Sequence, residues 1–405
     1  MVPGFAASAV STGIRGDGVL DLALVAAVDG RRSVRSKAHA GPSGTVVHAV
    51  AVPCAGVFTS NLAAAAPVQV SRKHLSRSKG RVAAVVLNSG NANAATGIAG
   101  MRDAERICDE VARFLGVDAG QVLACSTGLI GIPLDMERIM PAVPQLVPQL
   151  SGEPEASSRA ARAIMTTDTV EKDVLVKADG FTVAGIAKGA AMLAPNMATM
   201  LALLTTDASA EPDLLAAALR AATESSFNQL SVDGCTSTND AVIVMASGSS
   251  CRTVSVEELT DALSTACESL ARQMARDAEG ATKVVDVTVA GARSSEEAMA
   301  AARQVAGSLL VKCSLNGEDP YWGRVVSELG SAGVGFDIAR VAISYGGTVV
   351  CRGGTAADHD SEAVRRHMAG TELEILCDLG IGDASASVVS CDLGHGYIDE
   401  NRGTS

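Results

Sequence analysis

Reactive chemistry is first legible in the stretch Lys188-Gly-Ala-Ala-Met-Leu-Ala-Pro-Asn-Met-Ala-Thr-Met-Leu-Ala-Leu-Leu-Thr-Thr-Asp207, near the middle of the chain. Up to Ala198 it is rich in Gly, Ala and Pro and reads as an irregular loop. From Thr199 onward it is a short apolar run bounded by polar residues, as a buried strand would be. A threonine thus stands where a loop meets a strand. If the Ala198–Thr199 bond is cut, Thr199 begins a new chain and carries both a hydroxyl and a free α-amine, a nucleophile with its own base. An ordinary strand threonine has the same apolar flanks, so spacing alone leaves both readings open.

Other polar loops follow apolar runs. Ala83-Ala-Val-Val-Leu87 reads as a buried strand and leads into Asn88-Ser-Gly-Asn-Ala-Asn-Ala-Ala-Thr-Gly97, small residues whose backbone amides can approach a ligand closely. Val122-Leu-Ala-Cys125 reads as a strand running into Ser126-Thr-Gly-Leu-Ile-Gly131, where the Thr127 hydroxyl and a backbone N–H can converge. Ser76-x-x-Lys79 matches a Ser-x-x-Lys hydrolase motif, but it lies in a basic stretch rather than at an apolar helix start. No Gly-x-Gly-x-x-Gly opens a helix and no Gly-Lys-Ser/Thr phosphate loop occurs. Ten cysteines and six histidines form no Cys-x-x-Cys or mixed cluster, so no metal site is expected.

The elements that must carry these loops mix strands and helices throughout. Further strands are expected at 19–25, 181–187, 241–245, 284–290, 340–350, 372–378 and 385–391. Helical spacing appears at 101–114, 136–149, 156–165, 212–226, 294–307 and 320–329. The longest helix, 255–277, opens with the capping box Ser255-x-x-Glu258. Residues 29–48 read as a polar, basic surface loop. The class is α/β, an α+β layered sandwich of mainly two lobes, since 405 residues exceed a typical single core.

Composition narrows the function. Hydrophobic residues make up 47% and aromatics 2%, so the core is built from Ala, Val, Leu and Ile. A net charge of −12 argues against nucleic acid as the main partner. The basic runs 31–37 and 72–81 read as solvated faces. No run reaches membrane-spanning length and no leader pattern opens the chain, which predicts a cytoplasmic protein with reduced cysteines such as Cys125 and Cys377 buried in apolar settings.

Taken together, the loops resemble those of the ornithine acetyltransferases, or glutamate N-acetyltransferases, of arginine biosynthesis. The resemblance is carried by Ala55-Gly-Val-Phe-Thr-Ser-Asn61, Leu87-Asn-Ser-Gly-Asn-Ala-Asn93, Ser126-Thr-Gly-Leu-Ile-Gly131 and Ile164-Met-Thr-Thr-Asp168. It continues through the Lys188–Leu201 segment, Ser237-Thr-Asn-Asp240, Asp277-Ala-Glu-Gly280 and Asp319-Pro-Tyr-Trp-Gly-Arg324. It implies two lobes with β-sheets between helices, reminiscent of amino-terminal nucleophile hydrolases but different in topology. It also implies self-cleavage between Ala198 and Thr199 into an α chain (1–198) and a β chain (199–405), paired as a heterotetramer of two α and two β chains. Acetyl would pass from N2-acetylornithine to glutamate by a ping-pong route through acetyl-Thr199. No cofactor is implied, and acetyl-CoA is a second candidate donor.

By the same resemblance Thr127 and Gly128 form the oxyanion hole, and Thr166, Lys188, Thr199, Glu279, Asn401 and Ser405 contact substrate. Lysine suits the α-carboxylate shared by donor and acceptor. Glu279, placed before the C-cap expected at Gly280, would take the side-chain ammonium of ornithine. The tail departs from the family pattern, running Asn401-Arg-Gly-Thr-Ser405 without a tyrosine. Tyr321, Cys235-Thr236 and the basic segment 29–48 depart as well. The alternative reading is an amino-terminal threonine hydrolase, an amidase or peptidase in which water takes the acyl group.

Overall fold

The computed structural model describes residues 1–29, 48–194 and 200–403. The expected loop at 29–48 lies, apart from its two ends, outside the described residues. The chain divides into two compact units, each discontinuous in sequence: residues 1–189, 196–228 and 236–271, and residues 190–195, 229–235 and 272–405.

The first unit contains two sheets. One is four-stranded, in the order Phe5–Val10, Leu22–Ala27, Ala84–Asn88, Val122–Ser126, with only the last pair parallel. The other is six-stranded, in the order Arg81–Val82, Val52–Phe58, Ala241–Ala246, Leu201–Thr206, Phe181–Lys188, Lys172–Ala178. Its one parallel pair is Ala241–Ala246 with Leu201–Thr206. The strands Leu22–Ala27, Leu201–Thr206 and Ala241–Ala246 are buried along their whole length, which is why they read as unbroken apolar runs, whereas the edge strand Lys172–Ala178 is exposed at alternate positions. Alternate residues go to opposite sides. Ala23, Val25, Val85, Leu87 and Leu123 join Leu201, Leu203, Ile243 and the helix Pro154–Ile164 in one core, while Leu22, Leu24, Val86 and Val122 face the helices Gly97–Leu115 and Met136–Leu146.

The helix Ala66–Arg77 covers the exposed edge of Val122–Ser126. Ser71 Oγ both donates to the Ala124 carbonyl at 2.7 Å and accepts its N–H at 2.8 Å. The His74 ring meets the Val122 carbonyl at 2.8 Å. An uncovered edge strand would offer these groups to another chain. The basic run 72–81 is thus half a helix: Arg72, Lys73 and Arg77 are solvated as expected, but His74 is buried.

The second unit holds one six-stranded sheet, in the order Thr355–Ala356, Thr348–Arg352, Ala342–Tyr345, Glu372–Asp378, Val284–Ala292, Ala384–Cys391. Only Glu372–Asp378 and Val284–Ala292 are parallel. The helix Ser295–Gly307 packs on the last two strands, and Val287, Val289, Ala302, Val305, Ile375 and Cys377 share the core beneath it. The single strand expected at 340–350 is a hairpin instead. Gly346 and Gly347 have φ of 53° and 79°, the left-handed pair that a two-residue turn requires. The longest helix runs Val256–Arg276, and its capping box is formed: Ser255 N–H donates to Glu258 at 2.8 Å and Glu258 N–H to Ser255 Oγ at 3.2 Å. Among the described residues no helix is long and apolar enough to cross a membrane.

Candidate active site

In the four-stranded sheet the parallel strands Ala84–Asn88 and Val122–Ser126 end level, with Asn88 opposite Ser126. The loops leaving them therefore start side by side. Ser126 Oγ donates to Asn88 Oδ1, Asn88 Nδ2 donates to the Asn91 carbonyl at 2.9 Å, and Thr127 N–H donates to the Asn88 carbonyl at 3.0 Å. Asn91 Nδ2 in turn reaches the Ile132 and Pro133 carbonyls, both at 3.1 Å. The asparagines of 88–93 are thus the internal scaffold of the turn. Gly128 has φ of 133°, and a Cβ there would lie 2.3 Å from the Gly90 carbonyl carbon, so no other residue fits. The Thr127 hydroxyl and the Gly128 amide have no hydrogen-bond acceptor among the described residues. Two donors are left uncommitted within one dipeptide at the ends of parallel strands.

Asn239 and Asp240 join this turn to the segment that begins Leu201–Thr206. Asn239 Nδ2 donates to the Ala92 carbonyl at 2.6 Å and to the Ser126 carbonyl, one residue before the turn, at 2.8 Å. Because Ala241 and Leu201 start level in parallel strands, the residues before them are neighbours. Asp240 Oδ1 accepts the Met200 N–H at 3.0 Å, and Ala241 N–H donates to the Met200 carbonyl at 3.2 Å. Burial pushes the Asp240 carboxyl well above the usual range, against hydrogen bonds and the nearby Lys188. In the sequence Asn239 and Asp240 entered through the resemblance, in Ser237-Thr-Asn-Asp240, with no role assigned to either.

Lys188 ends the strand Phe181–Lys188 and is buried, not the solvated strand-end lysine that position would suggest. Its ammonium lies 3.8 Å from Asp168 Oδ2, whose partner oxygen takes the buried Lys172 ammonium at 2.7 Å and the Gly189 N–H at 2.8 Å. Thr166 N–H donates to Asp168 Oδ2 at 2.9 Å. Burial works to raise the Asp168 carboxyl, but Lys188 and Lys172 hold it well below its ordinary value. Two buried ammonium groups meet at one carboxylate here, donors of the kind that suit an anionic ligand group. Thr166 is half-buried against Asp168, whereas Thr167 is exposed. Sequence reasoning missed Lys172 and the central role of Asp168.

In the second unit Glu279 is buried and accepts Asn401 Nδ2 at 2.6 Å, so these two predicted contacts are brought together. Gly280 has φ of 64°, but the helix ends at Arg276, so it is a left-handed turn residue rather than the expected C-cap; a Cβ there would meet Tyr397 N at 2.1 Å. Asp233 accepts N–H bonds from Met192 at 2.6 Å and Cys235 at 3.1 Å, yet burial holds its carboxyl above its ordinary value. Tyr397 is pushed up to about 12, first by burial and then by Asp233. Asp233 and Tyr397 belong to this acidic group and were not foreseen. Ala198, Thr199 and Ser405 lie outside the described residues.

Uncommitted oxyanion-type donors and, in the same unit, a buried cation pair fit an α/β enzyme of acyl chemistry on a carboxylate-bearing molecule. Comparison with known proteins is specific within that class. The ArgJ family model matches residues 31–403, and the chain belongs to the ArgJ family. It is 43% identical over 398 residues to the arginine biosynthesis bifunctional protein ArgJ of Streptomyces coelicolor, spanning 98% of this chain and 97% of that relative. Among solved structures, ArgJ of Bacillus halodurans is 36% identical with a TM-score of 0.47, covering 49% of this chain and 96% of that one. The ornithine acetyltransferase of Mycobacterium tuberculosis, solved with ornithine, is 39% identical with a TM-score of 0.40, covering 48% of this chain and 92% of that one.

Proposed function

We propose that the chain is a glutamate N-acetyltransferase that moves acetyl from N2-acetylornithine to glutamate through an ester on Thr199. The observation that carries the reading is the pair of uncommitted donors at Thr127 and Gly128 in a chain of the ArgJ family. In maturation the Thr199 hydroxyl attacks the Ala198 carbonyl, the acyl group shifts from nitrogen to oxygen, and water opens the ester. This leaves an Ala198 carboxylate and a free α-amine on Thr199. An α-amine with a pKa of about 7.7–8.0 is partly neutral near pH 7 and can take the hydroxyl proton.

In transfer the Thr199 oxygen attacks the acetyl carbonyl of acetylornithine. The Thr127 hydroxyl and Gly128 N–H donate to the oxyanion as it forms. Collapse expels the α-amine of ornithine, which leaves with the proton held by the Thr199 amine. The neutral α-amine of glutamate then attacks the acetyl-threonine ester, and the proton returns to Thr199. Lys188, which shares Asp168 with Lys172, supplies positive charge for the α-carboxylate common to both substrates, with Thr166 beside that carboxylate. Glu279, paired with Asn401, suits the side-chain ammonium of ornithine, and the resemblance adds Ser405 as a substrate contact. The chains 1–198 and 199–405 stay together as a cytoplasmic heterotetramer, and acetyl-CoA serves as a second donor to the same threonine.

The test pairs intact mass with a donor–acceptor assay. The wild type should give two fragments dividing at Thr199 and should transfer acetyl to glutamate much faster than to water. Thr199→Ala should give one inactive full-length chain. An active, uncleaved Thr199→Ala protein sinks the proposal, and acetylornithine hydrolysis without transfer would assign an amino-terminal threonine hydrolase instead.

A further inference from the structure

Glutamate carries a second carboxylate on its side chain, where ornithine carries an ammonium. The acid Glu279 suits the ammonium and would repel the carboxylate, so the acceptor calls for a cation of its own. Lys188 and Lys172 already meet at Asp168. Arg15, in the same unit, is different: its guanidinium forms no ion pair among the described residues.

The loop that carries Arg15 is fixed to the turn at 88–91. Asp21 is buried and accepts the N–H groups of Thr12 at 2.6 Å and of Arg15 at 3.2 Å, so this carboxylate holds main chain rather than the guanidinium. The Asp21 carbonyl accepts the Ser89 N–H at 2.9 Å. The Arg15 stem crosses Gly90, where a Cβ would lie 2.8 Å from Arg15 Cγ, and a Cβ on Gly128 would lie 2.3 Å from the carbonyl carbon of that same Gly90. At its far end Arg15 Nη2 donates to the Thr166 carbonyl at 3.1 Å, while Thr166 N–H donates to Asp168 Oδ2 at 2.9 Å. The side chain thus runs from the glycine packed on the oxyanion turn to Thr166. A guanidinium has five N–H donors, and the Thr166 carbonyl takes one of them. A half-buried cation with a seated stem and spare donors in a fork is matched to a carboxylate.

We infer that Arg15 is the residue that selects the acceptor, its guanidinium taking the side-chain carboxylate of glutamate. The inference rests on the reading of the chain as a glutamate N-acetyltransferase with Thr166 at the substrate. Lys188 serves the α-carboxylate that both substrates carry, and Arg15 serves the group that glutamate alone carries. The bond to Thr166 holds one arm of the fork before substrate arrives, so less side-chain freedom is lost on binding. The same charge gives nothing to acetylornithine, whose side chain ends in an ammonium.

The experiment measures initial rates with acetylornithine and glutamate both varied, for wild type, Arg15→Met and Arg15→Lys, with thermal melting to establish folding. In a ping-pong reaction kcat/KM for each substrate is read separately. Arg15→Met keeps the stem across Gly90 and loses the charge and the fork. It should lower kcat/KM for glutamate by about 10- to 150-fold, the weight of one charge-assisted contact, and change the value for acetylornithine by less than about threefold. Arg15→Lys keeps the charge without the fork and should fall between, again for glutamate alone. A loss shared equally by both substrates overturns the inference and makes Arg15 part of the framework that holds Thr166. An unchanged value for glutamate in a folded Arg15→Met overturns it as well. If Arg15→Met does not fold, the same comparison in Arg15→Lys decides. A wild type that does not transfer acetyl to glutamate strikes the functional reading, and this inference falls with it; a wild type that does, beside a variant without the split, strikes Arg15 alone.

Discussion

Lys188 stands 3.8 Å from Asp168, a buried carboxylate that Lys172 already holds at 2.7 Å. Removing the acid would leave two lysines in one buried place without their shared counter-charge. Asp168→Asn should therefore destabilise the chain by about 3–5 kcal/mol, the usual penalty for breaking a buried pair, as read by urea unfolding. The pH dependence has a definite sign. Asp168 has a native pKa below its unfolded value of about 3.9, so its stabilisation is fully present above about pH 5 and is lost as pH falls through the lowered native value. Asp168→Asn should flatten that acid limb of the stability curve.

Lys188→Met keeps the stem of the side chain and removes the charge. If Lys188 holds the α-carboxylate, KM for acetylornithine and for glutamate should rise together, since both carry that group. The size expected for one charge-assisted hydrogen bond is about 1.5–3 kcal/mol, or about 10- to 150-fold in kcat/KM. A rise for one substrate alone would move Lys188 to a different contact.

The oxyanion turn predicts a contrasting kinetic pattern. Thr127→Ala should lower kcat by about 10²–10³ with little change in KM, because the oxyanion exists only along the reaction path. Gly128→Ala should do more, since a Cβ there meets the Gly90 carbonyl carbon at 2.3 Å and the turn must shift. Self-cleavage should slow in both, read by intact mass against time.

Much of this architecture was legible because buried strands leave a strong mark. Ala84–Asn88, Val122–Ser126 and Ala241–Ala246 appear as short apolar runs, and small polar residues follow two of them and precede the third. Ala66–Arg77 was hidden because its inward face is built from Ala, Val, Ser71 and His74, polar groups whose partners are main-chain atoms of a strand about fifty residues away. The hairpin at 342–352 was read as one strand because its turn is two glycines within an apolar run. At the site, the strand-to-turn pattern marked Thr127 as a donor, while Lys188 and Glu279 entered only through resemblance. Asp168, Lys172, Asp240 and Asp233 take their importance from burial and from neighbours distant in sequence, which no local pattern encodes.

Glu279 separates the two substrates. Its carboxylate is buried and holds Asn401 at 2.6 Å, so the Glu279→Gln side chain can stay in place while the charge goes. An ornithine side chain ends in an ammonium, whereas a glutamate side chain ends in a carboxylate. Loss of the negative charge should therefore lower kcat/KM for acetylornithine by about tenfold or more, the weight of one charged contact. In a ping-pong reaction kcat/KM for the second substrate is independent of the first, so the value for glutamate should hold or rise as repulsion is relieved. Initial rates with both substrates varied would read the two terms separately. Equal losses for both would place Glu279 in the framework of the site and assign ornithine's ammonium to another acid, of which Asp233, beside Tyr397 in the same unit, is the first to replace by Asn.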